Sequence, residues 1–316
     1  MNLGVAFLFS IAGFFFLWKG ADWLVGGASR MALGAKVSPI IIGITIVAFG
    51  TSLPEMSVSI AASIKGQPDI TLGNVIGSNI ANILLVLGIA AVIRPLEVSK
   101  QVVTRDTMLV LGSGVILLLL ALTGYLTRVS GMIMLAFFFA YLAYYARDAY
   151  KNRVDSATPP AGDMGFGIAV VLLAGGILCI LIGADILVDS AVFIAEEVGI
   201  SPAVIGLTMI AIGTSLPELA TSAVASKRGE SDLSVGNVLG SNVFNTLLIL
   251  GISAFMVGSI AVNSVMLWDI LFMAVVCLFL VPTLWTGHKL TRTEGAFMLL
   301  IYVVYIASLA WRGSYL

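Results

Sequence analysis

The sequence contains one block of residues twice, because residues 43–88 and 206–251 align without a gap at a constant offset of 163 positions. Of the 46 aligned positions 25 are identical, and the identities concentrate on polar residues that packing alone would not select. The match extends weakly upstream, where Gly20-Ala21-Asp22 aligns with Gly183-Ala184-Asp185. Any fold of this chain therefore has to accommodate two copies of one unit.

Apolar windows about 20 residues long, enough to cross a hydrocarbon core about 30 Å thick, recur along the whole chain. With 59% hydrophobic and only 10% charged residues, the chain is too apolar for a soluble domain. We therefore predict an all-α, polytopic membrane protein with ten transmembrane helices. The predicted spans are 3–25, 40–64, 70–93, 106–123, 129–147, 166–188, 203–226, 233–257, 264–283 and 294–311.

The repeated blocks fall in two predicted units of five spans each, residues 1–150 and 166–316, with a polar cytoplasmic linker at 151–165 between them. Because five is an odd number, the second unit must enter the membrane from the side opposite to the first. The sequence thus predicts two inverted five-helix repeats, which are typical of secondary transporters with a binding site at mid-membrane. A duplication that serves only packing is the alternative.

Positive charges predict the orientation of the chain. Twelve of the 16 Lys and Arg residues lie in the loops after the odd-numbered spans, which places those loops in the cytoplasm and both termini on the non-cytoplasmic side. We expect an integral protein of the plasma (cytoplasmic) membrane, surrounded by lipid. The net charge of −1 and the lack of a basic stripe exclude a nucleic-acid partner, and no obligate protein partner is evident. Cys179 and Cys277 lack the spacing of a zinc site or a disulfide framework.

The motif GTSLPE occurs once in each repeat, with Pro54 and Pro217 near the middle of a predicted helix. Proline at such a position removes an N–H group and disrupts the helix. The carbonyls of Gly50 and Gly213 should then lose their helical partners and become available to a cation. A simple kink, which is common in membrane helices, is the alternative interpretation.

Glu55 and Glu218 follow these prolines and are the two carboxylates predicted at mid-span, where insertion costs roughly 2.5–3.5 kcal/mol or more. Oxygen-bearing side chains recur at steps of four around each glutamate and along the next helix, so they should form facing stripes. For the serines that follow the glutamates, hydrogen bonds to their own helix explain the pattern as well as ion binding does. The stripes comprise Thr51, Ser59, Ser63, Asn74, Ser78 and Asn82, and Thr214, Ser222, Ser226, Asn237, Ser241 and Asn245.

The predicted site contains hard oxygen atoms and no histidine or cysteine, which suits Ca²⁺ or Na⁺ and disfavours zinc or copper. One Ca²⁺ neutralises the two glutamates, and Na⁺ or protons can do so instead, so these cations should compete and acid should inhibit. An empty site would leave two charges unpaired in a low dielectric, so only loaded forms should change their access. The sequence thus predicts an exchanger of cations that has no cofactor and is not an enzyme.

The paired GTSLPE blocks and the GNVIGSN and GNVLGSN blocks resemble the two α-repeats of the cation/calcium exchanger superfamily, specifically its sodium/calcium exchanger branch. The resemblance implies ten helices, antiport of Ca²⁺ against Na⁺, and a central cluster of ion sites. It implies that Glu55 and Glu218 ligate Ca²⁺ together with backbone oxygens of Thr51 and Thr214. The remaining implied ligands are Ser52, Ser78, Ser215 and Ser241 with the carbonyls of Ala48 and Ala211 for sodium, and Asn82 and Asn245 in the middle of the cluster.

Several alternatives remain open at this stage. Members of the superfamily often carry Asp at the position of Asn245, and potassium-dependent relatives use it for K⁺, so Asn argues against potassium dependence and leaves the number of sodium sites open. A proton/calcium exchanger on the same fold is the nearest rival, and a passive cation channel is the rival from another class. The sequence contains neither HExxH nor GxSxG, and His288 lies in a predicted loop, so an intramembrane hydrolase is disfavoured.

Overall fold

The structure, a computed structural model, describes residues 2–151, 166–197 and 213–313. Within these ranges eight helices are long and apolar enough to cross a membrane, and a ninth span consists of two helices bent by 48° at Ser52. The all-α, polytopic membrane class is therefore confirmed. The seventh predicted span, 203–226, and most of the predicted linker lie partly or wholly outside the described residues, so the count of ten spans stays a prediction.

The first repeat begins with a long helix and continues with several shorter, interrupted ones. Its helices are α1 Leu3–Ala35, α2 Pro39–Ile42, α3 Ala48–Thr51, α4 Leu53–Ile64, α5 Pro68–Ala81, α6 Leu87–Ile93, α7 Thr107–Ala121 and α8 Arg128–Lys151. π-Helical turns join α2 to α3 at Gly43–Val47 and α5 to α6 at Asn82–Val86, and another at Val102–Asp106 leads into α7. Such turns add one residue to a helical turn and occur frequently at functional sites.

The described part of the second repeat follows the same plan. Its helices are α9 Phe166–Glu197, α10 Leu216–Arg228, α11 Ser231–Val243, α12 Leu250–Val257, α13 Ser264–Trp285 and α14 Arg292–Gly313. A π-helical turn at Phe244–Ile249 joins α11 to α12, at the position equivalent to the turn between α5 and α6. A short 3₁₀ turn at Thr286–His288 follows α13, and His288 is exposed there, as predicted.

Two short antiparallel ribbons, which the all-α prediction did not include, join loops at the helix ends. They pair β1 Leu96–Glu97 with β4 Lys289–Leu290, and β2 Tyr125–Thr127 with β3 Ser259–Ala261. Leu96 pairs with Leu290, and the offset of 163 converts this pair into Ser259 and Thr127, which are partners in the other ribbon. Because β1 precedes α7 and β2 follows it, the ribbons lie at opposite ends of a span. The repeats are therefore inverted, as the odd number of spans predicts.

Helices α1 and α9 occupy equivalent positions in the two repeats and pack against each other with their backbones in contact. A Cβ atom on Gly20 would lie 2.7 Å from the amide nitrogen of Ile180, and one on Gly176 would lie 2.6 Å from that of Leu24. Real side chains do not tolerate such distances, so glycine is required where the helices cross. Small residues allow this close approach between membrane helices, which gain little from apolar burial alone.

The same two helices are longer than the spans that the sequence predicts. The predicted spans 3–25 and 166–188 place Asp22, Asp185 and Asp189 near span ends, at the membrane interface. The structure extends α1 to 33 residues and α9 to 32, so these aspartates lie well inside their helices. Both helices therefore end about ten residues beyond the predicted spans. Because 33 helical residues rise about 50 Å, more than the hydrocarbon core requires, the position of these aspartates near the membrane interface stays a prediction.

The centre of the protein is formed by two spans at equivalent positions. The most apolar windows of Asp69–Ile93 and Ser231–Val257 are 78% and 83% buried, against 22–44% for the other spans. The first contains α5 and α6, and the second contains α11 and α12. Polar side chains on these spans are thus shielded from lipid by the rest of the protein.

Candidate ion-binding site

Both GTSLPE motifs interrupt their helices at the serine. In the first repeat α3 ends at Thr51 and α4 begins at Leu53, with Ser52 at φ −83° and ψ 8° between them. Ser215 has nearly the same conformation, φ −84° and ψ 2°, directly before α10. The prolines therefore lie in the first turn of a new helix, where their missing N–H costs nothing, and do not kink a continuous one.

This interruption places Glu55 and Glu218 in the first turn of α4 and α10. The amino terminus of a helix carries a partial positive charge, which favours a carboxylate there. Both side chains are fully buried, with 0% exposure. The local sequence thus provides partial electrostatic compensation for two acidic groups in the membrane interior.

The two glutamates differ in their hydrogen bonds. Oε1 of Glu218 accepts from the hydroxyl of Ser52 at 3.1 Å and from that of Ser241 at 3.2 Å. Oε2 of Glu218 and both carboxylate oxygens of Glu55 have no hydrogen-bond partner among the described residues. Buried oxygens of this kind are costly unless a positive charge or a donor compensates them. The site is therefore suited to a cation.

Two asparagines connect the helix breaks of opposite repeats. The hydroxyl of Thr51 donates to Oδ1 of Asn237 at 3.1 Å, and that of Thr214 donates to Oδ1 of Asn74 at 3.2 Å. The Nδ2 group of Asn74 donates to the backbone oxygen of Glu55 at 3.1 Å, and that of Asn237 to the oxygen of Glu218 at 3.4 Å. These four contacts obey the offset of 163 and fix the threonines and glutamates relative to each other.

The other predicted hydroxyl ligands lie in the same cluster. The hydroxyl of Ser78 is 3.3 Å from that of Thr214, and the hydroxyl of Ser241 is 3.5 Å from that of Thr51. The Ser215 hydroxyl is buried and has no partner among the described residues. The structure therefore brings Thr51, Ser52, Ser241 and Glu218 into direct contact, and Ser78, Thr214 and Glu55 together through Asn74.

Asn82 and Asn245 lie one helical turn beyond Ser78 and Ser241, at the π-helical turns of the two central spans, and are fully buried. Asn82 donates from Nδ2 to Oδ1 of Asn242 at 3.1 Å, which leaves its own Oδ1 without a partner. Neither polar atom of the Asn245 side chain has a partner within the described part of the chain. Both amides thus retain unused oxygen ligands.

Of the two predicted carbonyl ligands, Ala48 lies among the described residues and Ala211 does not. The carbonyl of Ala48 lies one turn before Ser52 and accepts from the Ser52 amide at 3.0 Å and the Thr51 hydroxyl at 3.3 Å. It is thus part of the same cluster but is already hydrogen-bonded. Ala211 lies outside the described residues, so its place in the site stays a prediction.

The serines after the glutamates form hydrogen bonds to neighbouring helices. Ser59 and Ser222 accept from Asn74 and Asn237 at 2.9 and 3.0 Å. Ser63 contacts the hydroxyl of Thr71 at 2.8 Å, and Ser226 donates to the carbonyl of Ala90 at 2.6 Å. These side chains therefore hydrogen-bond to other helices and not to their own.

Several polar residues near the site escaped the sequence-based selection of ligands. Asn79 donates to Thr246 at 2.7 Å, and Asn242 donates to the Asn79 carbonyl at 3.3 Å, where the two central spans cross. The signal was available, because Asn79 and Asn242 are identical in the two repeats and immediately follow Ser78 and Ser241. Each lies about 100° around the helix from Ser78 or Ser241, so the step of four residues that defines the stripes did not select them.

Two further carboxylates are buried, although the sequence did not predict their burial because they lie near the ends of predicted spans. Asp106 is 2% exposed and Asp269 is 8% exposed, and the offset of 163 relates them. Asp106 accepts from the hydroxyl of Tyr145 at 2.5 Å and from Arg105, which also pairs with Asp148 at 2.8 Å. This cluster joins α7 to α8 and lies outside the candidate site.

The donor set determines which ions the site can hold. Within the described ranges no three His, Cys, Asp or Glu side chains are grouped so that they could hold a metal ion, so the site offers two carboxylates and neutral oxygens. Hydroxyl, amide and carboxylate oxygens suit hard cations such as Ca²⁺ and Na⁺. The geometry therefore supports the binding of a hard cation between the repeats.

Comparison with known proteins identifies the family to which the chain belongs. The family model of the sodium/calcium exchanger protein matches residues 5–146 and 168–311. Sodium/calcium exchanger MaX1 of Methanosarcina acetivorans is 32% identical over 96% of this chain and 98% of its own length, and inner membrane protein YrbG of Escherichia coli is 36% identical over 100% and 99%. A solved structure of the sodium-calcium exchanger NCX_Mj, soaked with Na⁺ and Sr²⁺, superposes with a TM-score of 0.85 at 32% identity over 97% of this chain and 99% of that one. The chain belongs to the sodium/calcium exchanger family.

Proposed function

We propose that this protein exchanges Ca²⁺ for Na⁺ across the membrane, with Glu55 and Glu218 as the charged ligands of one shared site. The observation that carries the proposal is the pair of fully buried carboxylates, one from each inverted repeat, with three of their four oxygens unpaired among the described residues. The names of the relatives support the choice of ions, since MaX1 and NCX_Mj are both described as sodium/calcium exchangers.

The charge of the site explains why transport is an exchange. One Ca²⁺ compensates both carboxylates, and Na⁺ ions can occupy the same oxygens in its place. Without either ion two negative charges would remain in a low dielectric, which is costly, so the empty site does not change its access. If more than two Na⁺ replace one Ca²⁺, each cycle moves net charge and responds to voltage by about 2.3 kcal/mol per charge per 100 mV.

The proposed ligands divide according to their unused oxygens. Glu55 and Glu218, with the backbone oxygens of Thr51 and Thr214, hold Ca²⁺. The serine hydroxyls at 52, 78, 215 and 241, with the carbonyls of Ala48 and Ala211, hold Na⁺ when Ca²⁺ is absent. Asn82 and Asn245 supply neutral oxygens at the centre, where a third negative charge would favour a further cation.

The proposed topology follows from the distribution of positive charge, with both termini on the non-cytoplasmic side of the plasma (cytoplasmic) membrane. Each repeat contributes one glutamate and approaches the site from the opposite side. The inverted repeats can therefore open the same site alternately to the two faces.

The decisive experiment is Ca²⁺ uptake into liposomes that contain the purified protein, with the membrane voltage held at zero by an ionophore. An outward Na⁺ gradient should drive uptake, and collapsing that gradient should stop it. Acid should inhibit by competition for the glutamates, so added Ca²⁺ should restore the rate. Uptake that follows a pH gradient and ignores Na⁺ would establish proton exchange instead, and Ca²⁺ flux without any counter-ion would establish a channel.

A further inference from the structure

One ion pair in the structure joins the two repeats outside the site. Asp22 on α1 accepts a hydrogen bond from the guanidinium of Arg228 at the end of α10, and it also lies 3.7 Å from Nζ of Lys19. Arg228 runs along α1, since a Cβ atom on Gly26 would lie 3.2 Å from its Nη1 atom. The contact therefore links α1 of the first repeat to the site-bearing helix α10 of the second.

The repeat relationship identifies a second pair of the same kind. Adding 163 to Asp22 gives Asp185 on α9, and subtracting 163 from Arg228 gives Lys65, directly after α4. Opposite charges thus stand at both positions in both repeats. Asp185 and Lys65 are exposed, and neither side chain forms an ion pair or hydrogen bond within the described residues. One of the two equivalent pairs is closed and the other is open.

The inverted repeats explain why one ion pair is closed while the equivalent pair is open. In a protein of this architecture the two access states are related by an exchange of conformation between the repeats. A contact between residue i of the first repeat and residue j of the second then becomes a contact between residues i+163 and j−163. The closed pair between Asp22 and Arg228 accordingly corresponds to a closed pair between Asp185 and Lys65 in the other state.

We propose that the ion pairs Asp22–Arg228 and Asp185–Lys65 alternate as a two-position latch, each closing in one access state and opening in the other. This proposal rests on the alternating access of the proposed function. α1 and α9 pack through their glycines, so they can carry Asp22 and Asp185 together relative to α4 and α10. The latch gives each state a separate electrostatic contact that does not involve the transported ion.

The two positions of the latch are not equal in charge. Asp22 is shared between two cations, because Lys19 also lies beside it, whereas the position equivalent to Lys19 is Ile182. The position equivalent to Gly26 is Asp189, so in the other state Lys65 faces Asp189 as well as Asp185. In the other state, Lys65 is attracted by two carboxylates. In the state that the structure shows, Lys19 repels Arg228 and weakens the attraction of Arg228 to Asp22. Neutralising Lys65 should therefore favour the state that the structure shows.

Cross-linking of the full-length protein in liposomes tests the latch. In a background with Cys179→Ala and Cys277→Ala, the pairs D22C/R228C and K65C/D185C are treated with a short thiol-specific bifunctional reagent, under saturating Na⁺, saturating Ca²⁺ or neither ion. Both pairs should cross-link, and the conditions that increase one yield should decrease the other. The control pair is K65C/G175C, because Gly175 lies ten residues before Asp185 on α9, about 15 Å away along the helix.

A second measurement uses the charges themselves. Lys65→Gln should raise the yield of the D22C/R228C cross-link about two- to five-fold at low ionic strength, as expected for a partly exposed ion pair, and 1 M salt should remove the increase. Lys36→Gln, which removes a cation at the end of α1, should leave the yield unchanged.

The outcomes separate the latch from the proposed function. A K65C/D185C yield no greater than that of K65C/G175C under every ion condition overturns the latch, whether or not the preparation transports Ca²⁺. Absence of Na⁺-driven Ca²⁺ uptake by the protein with its native sequence overturns the proposed function, and the cross-linking yields still decide whether the two pairs alternate.

Discussion

The hydroxyl of Ser52 in the first repeat donates to Oε1 of Glu218 in the second over 3.1 Å, so the two helix breaks contact each other directly. The equivalent contact, from Ser215 to Glu55, is not formed: the Ser215 hydroxyl and the Glu55 carboxylate have no partner among the described residues. Two sequence-identical motifs thus have different hydrogen bonds in one structure. This is the behaviour expected of inverted repeats observed in one of their two access states.

The first prediction concerns this contact. Ser52→Ala should lower the unfolding free energy by about 1–3 kcal/mol in the absence of Ca²⁺ and Na⁺, because a buried carboxylate loses a donor. Ser215→Ala should cost less, since its hydroxyl has no hydrogen-bond partner among the described residues. Thermal unfolding of the two variants, measured in detergent without either ion, checks the difference. Equal destabilisation by the two substitutions would show that the asymmetry is irrelevant to stability.

The second prediction concerns the glutamates. Glu55→Gln and Glu218→Gln should each reduce Na⁺-driven Ca²⁺ uptake by more than about tenfold while leaving the protein folded, because a neutral amide keeps the shape and removes half of the charge that Ca²⁺ requires. Glu230→Gln, just before α11, should transport normally. Uptake and elution as a single species in size-exclusion chromatography are compared for all three. Substantial uptake in either site variant would contradict the role of the pair.

The third prediction concerns the contact of α1 with α9. Gly176→Val should destabilise the protein by about 1–3 kcal/mol or prevent its folding, because even a Cβ atom would meet the α1 backbone at 2.6 Å. Gly175→Val is the matched control, since a Cβ atom there has no neighbour within 4 Å. The melting temperatures of the two variants provide the measurement. Similar melting temperatures would mean that the two helices do not need close backbone contact.

The fourth prediction concerns Asp106. Tyr145→Phe should lower the unfolding free energy by about 1–3 kcal/mol, because it removes a hydroxyl that donates to a buried carboxylate at 2.5 Å. Tyr144→Phe is the control, since Tyr144 is 45% exposed and keeps its ring contact with Arg105. Ca²⁺ uptake by the folded fraction should be unchanged in both variants. A selective loss of uptake in Tyr145→Phe would instead connect this cluster to transport.

The sequence was sufficient for the main features of the architecture. Hydropathy and length determine that the chain lies in a membrane, and the odd number of spans predicted for each repeat indicates that the units are inverted. The GTSLPE motif also located both helix breaks, because proline cannot continue the hydrogen bonding of a preceding helix. These features follow from local chemistry and from counting, so no knowledge of contacts is needed.

The contacts between the repeats required the tertiary structure. The pairing of Thr51 with Asn237 joins residues 186 positions apart, and the sequence places each of them only on a stripe of its own helix. Ser59 and Ser63 illustrate the same limit, because periodicity shows which residues share a helix face but not which helix lies opposite.

The two glutamates separate the two kinds of information most clearly. The sequence identifies their positions in apolar helices as functional, because an acid at mid-span is costly to insert. The sequence does not show that the two glutamates differ in their hydrogen bonds, because identical motifs have identical local preferences. Only the packing of one repeat against the other decides that Glu218 receives the hydroxyls of Ser52 and Ser241 while the oxygens of Glu55 remain without a partner among the described residues.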